Sequence, residues 1–263
     1  MKDWQIKISK LRYNKLIKTP EQIEGIRRAG KLNSAVLDEV SKRLKVGMTT
    51  EDINTIVHDY TIKHGGIPAP LNYEGFPKSV CTSVNEVVCH GIPSDEEVLV
   101  SGDIINVDVT TILDGYYADA SRMFIIGKTT PERKRLVQVA KECMELGINA
   151  VKPFCHISDI GYAITNHAHK NGFYVVRDLT GHGVGLKFHE DPDVEHYAKK
   201  PGKGMLLMPG MVITVEPMIN VGTWEVFEDE MDGWTVVNEM EEDSAQWEKT
   251  ILITENGVEV LSE

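Results

Sequence analysis

The sequence has 263 residues, 41% hydrophobic and 26% charged, with a net charge of -12 at neutral pH. That length suits one large core, and the acidic balance excludes a general basic surface for nucleic acid. No apolar run reaches the roughly 18 residues that span a bilayer, and four cysteines without a C-x-x-C pair (Cys81, Cys89, Cys143, Cys155) indicate neither a disulfide framework nor a cysteine-rich zinc site.

The opening stretch, MKDWQIKISKLRYNKLIKTP, lacks the apolar segment and small-residue cleavage site of a secretory leader, so a cytoplasmic protein is expected. Thr19-Pro20-Glu21-Gln22 then combines an N-cap, a proline at the first helical position and a glutamine three residues after the cap. Ile23, Ile26, Leu32, Val36 and Val40 follow at helical spacing, which predicts a long amphipathic helix. A second helix is expected from about Thr50 to Gly65-Gly66.

Residues 106–122, NVDVTTILDGYYADASR, read as two strands around Asp114-Gly115, each with an aspartate on a stretch that is otherwise largely apolar or small. A two-residue turn sets Asp108 opposite Ser121 and Asp119 opposite Thr110, with both aspartates on one face as diagonal neighbours. A four-residue loop would set them directly opposite, and a three-residue loop would separate them unless a bulge intervened. Two carboxylates that close on a half-buried face repel each other and demand a cation or a shared proton.

The helix signals then return. Thr130-Pro131-Glu132-Arg133 opens a stripe through Leu136, Val139, Ala140, Cys143 and Leu146, and a partner helix runs from about Ser158 to Asn171-Gly172. The strands echo as well: Gly102-DIINV-Asp108 matches Gly210-MVITV-Glu216, and Ala118-Asp119 before ASRMFII matches Trp247-Glu248 before KTILIT. If the echo is real, four carboxylates meet at one centre, and four negative charges balance two divalent ions. His182, framed by Gly181, Gly183 and Gly185, offers an imidazole on a backbone free to approach other groups closely. Carboxylates with one imidazole suit Mn, Fe, Co or Zn. A phosphate loop is not indicated, because Leu186 breaks the G-x-G-x-x-G spacing. Residues 225–243 hold nine Asp and Glu and no Lys or Arg, which reads as a solvated edge rather than a specific cation site. Cys89 beside His90 is not a thiol-protease pair, since neighbours on an extended chain point opposite ways.

NYEGFPKSVCTSVNEVVCHGIP (72–93), the NVDVT and DGYYADASRMF strands, TGHGVG with FHEDP, TVEPM and SAQWEKTILIT stand in this order. The set resembles the type I methionine aminopeptidases, of the metal-dependent pita-bread fold, over about residues 8–260. The resemblance implies an α+β fold, a curved antiparallel sheet covered by helices, in one catalytic domain spanning 1–263 with pseudo-twofold halves near 16–126 and 127–258. It implies two divalent ions on Asp108, Asp119, His182, Glu216 and Glu248, with Asp119 and Glu248 bridging, His182 and Glu216 completing one site and Asp108 the other. His90 and His189 would contact substrate, His189 at the developing oxyanion, and Glu216 would carry a proton as well as bind metal. Tyr73, Phe76, Cys81, Phe188 and Trp234 would form the methionine pocket, and Asn85, Val87 and Ser244 a site for one monovalent ion, Na or K.

The implied substrate is a nascent polypeptide with a small second residue, met transiently at the ribosome by a monomer that needs neither nucleic acid nor a membrane. The resemblance places in doubt only the pocket rim near Trp234, where the acidic segment lies. Two rival readings remain: a prolidase or X-Pro aminopeptidase of the same fold, which generally carries an additional N-terminal domain, and a non-enzymatic ribosome-associated relative, which should have lost ligands and gained basic segments.

Overall fold

Thr19 starts the first long helix as its sequence predicts. Its hydroxyl accepts from the Gln22 N–H at 3.2 Å while the Gln22 side chain accepts from the Thr19 N–H at 2.8 Å, and α1 runs Pro20–Arg43. The computed structural model describes residues 7, 8 and 11–263; residues 1–6, 9 and 10, part of the stretch examined for a leader, lie outside the described residues. Thr49 and Asp52 form a second reciprocal cap, and α2 spans Thr50–Lys63, ending before Gly65 at φ +80°.

Short strands β1 (Ile67–Pro68), β2 (Cys81–Val84) and β3 (Val87–Cys89) lead to the long hairpin β4 (Ile104–Leu113) and β5 (Tyr116–Ile125). Its turn has two residues, with Asp114 at φ 52° and Gly115 at φ 82°, the left-handed pair that matches strand twist. Leu113 therefore pairs with Tyr116, Asp108 with Ser121 and Asp119 with Thr110. β1 and β2 pair antiparallel along the other edge of β4.

The second run of elements begins with α3 (Pro131–Ala150), capped by the Thr130 hydroxyl accepting from Arg133 N–H, and α4 (Ser158–Lys170). One residue of the predicted stripe is displaced: Leu146 is 39% exposed, and Gly147 and Ile148 face the core instead. One full turn after Cys143 falls at 147, where a side chain would strike Ile164 of α4, so the helices meet there through a glycine. Then come β6 (Tyr174–Val175), β7 (Gly181–Gly183), β8 (Glu190–Val194), β9 (Val212–Val215), β10 (Met218–Asn220), β11 (Val226–Glu228), β12 (Val236–Asn238), β13 (Ser244–Gln246), β14 (Lys249–Ile253) and β15 (Val258–Ser262). A five-stranded sheet runs β15-β14-β9-β7-β8, while β13-β10-β6 and β11-β12-β3 form smaller sheets. The pairings are antiparallel and the fold is α+β.

Strand alternation separates core from site. Ile105, Val107 and Val109 of β4 pack with Val36, Leu37 and Val40 of α1 and Ile53 and Val57 of α2. Ile213 and Val215 of β9 pack with Leu136, Val139 and Ala140 of α3 and Ile160 and Ile164 of α4. Each such fully buried Val, Leu or Ile side chain stabilises the fold by ~1.5–3 kcal/mol. Asp108 and Thr110, and likewise Thr214 and Glu216, alternate with these residues and so project from the opposite face.

Two seams join the sheets. α1 crosses both: Asn33, fully buried, donates to Ser262 Oγ of β15 at 3.0 Å and accepts from Thr111 Oγ1 of β4 at 2.7 Å. On the far side Glu248 N–H donates to Ser121 O at 3.2 Å, and Thr250 Oγ1 both accepts from Asp119 N–H at 3.1 Å and donates to Asp119 O at 2.7 Å. The described cysteines are free thiols, and no described helix is long and apolar enough to cross a membrane.

Candidate metal centre

The second seam places Asp119 of β5 beside Glu248 at the entrance to β14. Ligand atoms of Asp119, His182 and Glu248 lie within 4.8 Å of one another. His182 Nε2 is 3.7 Å from Asp119 Oδ2 and 3.5 Å from Glu216 Oε1. Asp108 lies beside Asp119 and Glu248. All five side chains singled out as ligands line one cavity of about 420 Å³.

The local chain explains each placement. His182 stands on β7, where Gly183 lets the neighbouring strand approach: a Cβ there would lie 2.2 Å from Asp191 O. The His182 Nδ1 lies 2.9 Å from Gly183 O, so Nδ1 carries the proton and the Nε2 lone pair faces the carboxylates. Burial, reinforced by His189, lowers the His182 pKa to about 4 and keeps it neutral. A lone pair aimed at carboxylate oxygens is repulsive unless a cation or a carboxyl proton lies between them.

The carboxylates point to the same conclusion. Burial pushes Asp108 up to about 7 and Glu216 up to about 8, and Asp119 and Glu248 well above the carboxylate range, with mutual repulsion adding to burial for the last two. Asp108 Oδ1 and Glu248 Oε1 are buried without any hydrogen-bond partner. Four acids and a neutral imidazole with orphaned acceptors fit paired divalent cations, which would satisfy those atoms and restore the charged carboxylates.

Two threonines and a glutamine brace the set. Thr110 Oγ1 donates to Asp119 Oδ1 at 2.8 Å. Thr214 Oγ1 donates to Glu216 Oε1 at 2.6 Å and accepts from His182 N–H at 2.9 Å, tying two of the five residues together. Gln246 Nε2 reaches Glu216 Oε2 at 3.3 Å. His196 accepts the Glu216 N–H on its Nε2 at 3.0 Å. None of these four was singled out from the sequence. The threonines had a signal, D-x-T in NVDVT and T-x-E in TVE, each putting a hydroxyl two residues from a carboxylate on the same strand face.

Aromatic walls flank the carboxylates. Phe188 stacks on His189 with centroids 4.3 Å apart, and Tyr73 meets Phe188 at 4.8 Å and hydrogen-bonds His189 Nδ1 through its hydroxyl at 2.9 Å. Across the cavity Phe76 meets Trp234 edge-on at 5.2 Å, with His90 beside it at 6.4 Å. His90 adopts φ 59°, a strained backbone for a bulky residue and one that turns its ring toward the cavity. Burial holds His90 down to about 4 and His189 below its ordinary value. Cys81 pairs in register with Asp108 and also lines the cavity, whereas Cys89 does not line it and packs with Val176 and Met218 in the apolar cluster behind that wall. Met218 and Leu179 line the cavity as well and were missed in the sequence, where neither stands in a quoted pocket position.

Asn85, Val87 and Ser244 do not line this cavity: Asn85 lies between β2 and β3, Val87 opens β3 and Ser244 opens β13. Ser244 N–H donates to Asn85 O at 2.8 Å, and the Asn85 side chain joins Asp103 and the Ile104 N–H. Most acids of the 225–243 segment are exposed, as a solvated edge should be, and Asp232 and Asp243 take specific partners. Asp232 accepts from the Trp234 and Thr235 N–H groups at 2.8 and 2.9 Å, and Asp243 forms a two-pronged pair with Arg133.

A model described as metallopeptidase family M24 matches residues 24–255. The chain belongs to metallopeptidase family M24. Within M24 it is 53% identical over 242 residues to methionine aminopeptidase A of Synechocystis sp., covering 92% of this chain and 94% of that one. The crystal structure of methionine aminopeptidase from Rickettsia prowazekii superposes with a TM-score of 0.92 at 46% identity, covering 94% of this chain and 99% of that one. Prolidase from Pyrococcus furiosus, at 22% identity and a TM-score of 0.75, covers 97% of this M24 chain and 67% of its own, and shares the fold.

Proposed function

We propose that this M24 chain is a methionine aminopeptidase that removes the initiator methionine from nascent polypeptides when the second residue is small. The observation that carries the reading is the convergence of three buried carboxylates, the half-buried Asp108 and a neutral imidazole, from a hairpin and from strands far from it in sequence, on a cavity walled by aromatic rings.

Asp108, Asp119, His182, Glu216 and Glu248 would hold two divalent ions, with Asp119 and Glu248 shared between them; Co, Mn, Fe and Zn all suit this donor set. Bound there, such ions supply a water acidified toward neutrality and a polarised scissile carbonyl. Glu216 takes up a proton during attack and delivers it to the leaving amine, held in place by Thr214 and Gln246. The Tyr73 hydroxyl donates to His189 Nδ1, which leaves the proton on Nε2 to face the developing oxyanion. His90, neutral at physiological pH, bonds near the scissile amide. Tyr73, Phe76, Cys81, Phe188 and Trp234 enclose the methionine side chain, whose thioether gains ~0.3–1.5 kcal/mol against aromatic edges.

The finer reading is a cytoplasmic monomer, a single catalytic domain over 1–263 with halves near 16–126 and 127–258, that meets its substrate transiently at the ribosome. A monovalent ion would bind beside Asn85, Val87 and Ser244. Protein stripped by chelator and resupplied with Mn or Co should release methionine from Met-Ala and Met-Gly peptides and not from Met-Leu or Xaa-Pro peptides. Equal release from Met-Leu would refute the small-neighbour preference, and cleavage of Xaa-Pro alone would favour a prolidase.

A further inference from the structure

The wall that carries Phe188 and His189 is the turn from β7 to β8, and a residue far away in sequence sets its shape. Leu186 and Lys187 donate their N–H groups to Glu190 Oε1 at 2.6 and 2.9 Å. The other oxygen, Oε2, takes the ammonium of Lys18, 172 residues earlier and just ahead of α1. The Lys18 side chain is only 2% exposed and that of Glu190 14%. Lys18 is itself fixed, because its N–H donates to Gly210 O at 2.8 Å and its stem lies against Gly185, where a Cβ would stand 3.5 Å from Lys18 Cε. Neither Lys18 nor Glu190 lines the cavity. A buried ammonium facing one carboxylate holds a sharply defined geometry, since removing that carboxylate strands the ammonium away from water, whereas Glu190 keeps its two amide donors.

We propose that the Lys18–Glu190 pair is a latch that positions His189, so that Lys18 and Glu190 govern the rate of bond cleavage without touching substrate or metal. The chain of contacts runs from Lys18 to Glu190, through the two amides that Glu190 gathers, to the Phe188–His189 stack. The Tyr73 hydroxyl fixes the His189 ring from the opposite side. Small displacements of a hydrogen-bond donor at an oxyanion cost rate far more than affinity. The latch rests on the role given to His189 above.

The test compares metal-loaded wild type with Lys18→Met, Lys18→Arg and His189→Ala on a Met-Ala peptide, alongside metal content and the 15N signals of the His189 ring. Lys18→Met should lower kcat by ~10- to 100-fold with KM within ~threefold, bound metal unchanged and the His189 ring signals shifted. Lys18→Arg, which keeps the charge but places a wider planar guanidinium in the same tight site, should recover kcat only in part. A Lys18→Met enzyme with kcat within ~twofold of wild type, beside an impaired His189→Ala, overturns the latch alone. So does a fall in kcat with His189 signals unmoved. Wild type that releases no methionine, or His189→Ala as fast as wild type, removes the underlying reading and the latch with it. Should Lys18→Met fail to fold, Glu190→Gln, which keeps an oxygen for the two amides and loses the charge that Lys18 answers, is judged by the same kcat and ring signals.

Discussion

The two sheets deliver their carboxylates by different means. In the first, Asp108 and Asp119 sit on one uninterrupted hairpin closed by a two-residue turn, so local geometry alone brings them together. In the second, Glu216 follows β9 and Glu248 precedes β14; these strands pair with each other, yet the chain between them makes β10, β11, β12 and β13 before returning. That excursion carries Trp234 to the cavity and Gln246 to Glu216. The hairpin is therefore a rigid platform for charge, while the second sheet combines charge placement with the pocket wall. Both sheets nonetheless brace a carboxylate with a threonine, Thr110 on Asp119 and Thr214 on Glu216.

The sharpest way to break the comparison is at the point the two sheets share. Asp119→Asn removes a carboxylate from the hairpin at the seam with β14, and should lower kcat/KM by ~10³-fold or more together with bound metal. Retention of both metal and rate would mean that the hairpin does not contribute to the centre.

Removing metal without mutation should expose what the buried acids cost. In the metal-free fold Asp108 titrates at about 7 and Glu216 at about 8, against roughly 4 in an unfolded chain. A carboxyl raised on folding favours the folded state fully only below its unfolded pKa, and that contribution is lost as pH rises through the folded pKa. The chelated protein should thus lose thermal stability between about pH 4 and pH 8. Metal-loaded protein, with these charges compensated, should not. The gap in Tm between the two should be wider at pH 8 than at pH 5, and an equal gap would contradict the cation reading.

Much of this is legible in the sequence alone. The caps at Thr19 and Thr130, the turn at Asp114-Gly115 and the alternation around Asp108 are local signals, encoded within a few residues of where they act. What was not legible is long-range. Nothing near Ser121 announces that its carbonyl will meet Glu248 N–H, nor does Lys18 announce Glu190. β10 to β13 have only three residues each, too short for a period-2 pattern to stand out. His196 reads as any buried histidine until its Nε2 is seen on the Glu216 amide.

The threonines sharpen the comparison at smaller scale. Thr214→Val keeps volume and removes a hydroxyl that serves both Glu216 and His182, so metal affinity or kcat should fall ~100-fold. Thr110→Val removes one donor from Asp119, whose backbone is also gripped by Thr250, and should cost ~10-fold. Titrating metal into each variant checks the ranking, and equal losses would show that the two sheets brace their acids equivalently.

The smallest effect separates two acids of one segment. Asp232 gathers two backbone N–H groups and the Thr235 hydroxyl into the turn that presents Trp234, and these bonds hold its carboxyl below the usual range despite some burial. Asp232→Ala should therefore cost about 1 kcal/mol of stability, as loss of a helix cap does, and raise KM for Met-Ala about threefold by loosening Trp234. Glu230, two residues away, is exposed, and Glu230→Ala should stay within ~0.5 kcal/mol and leave KM unchanged. If both substitutions behaved like Glu230→Ala, Asp232 would act as any solvated acid, and Trp234 would owe its position to packing against Phe76 and His90.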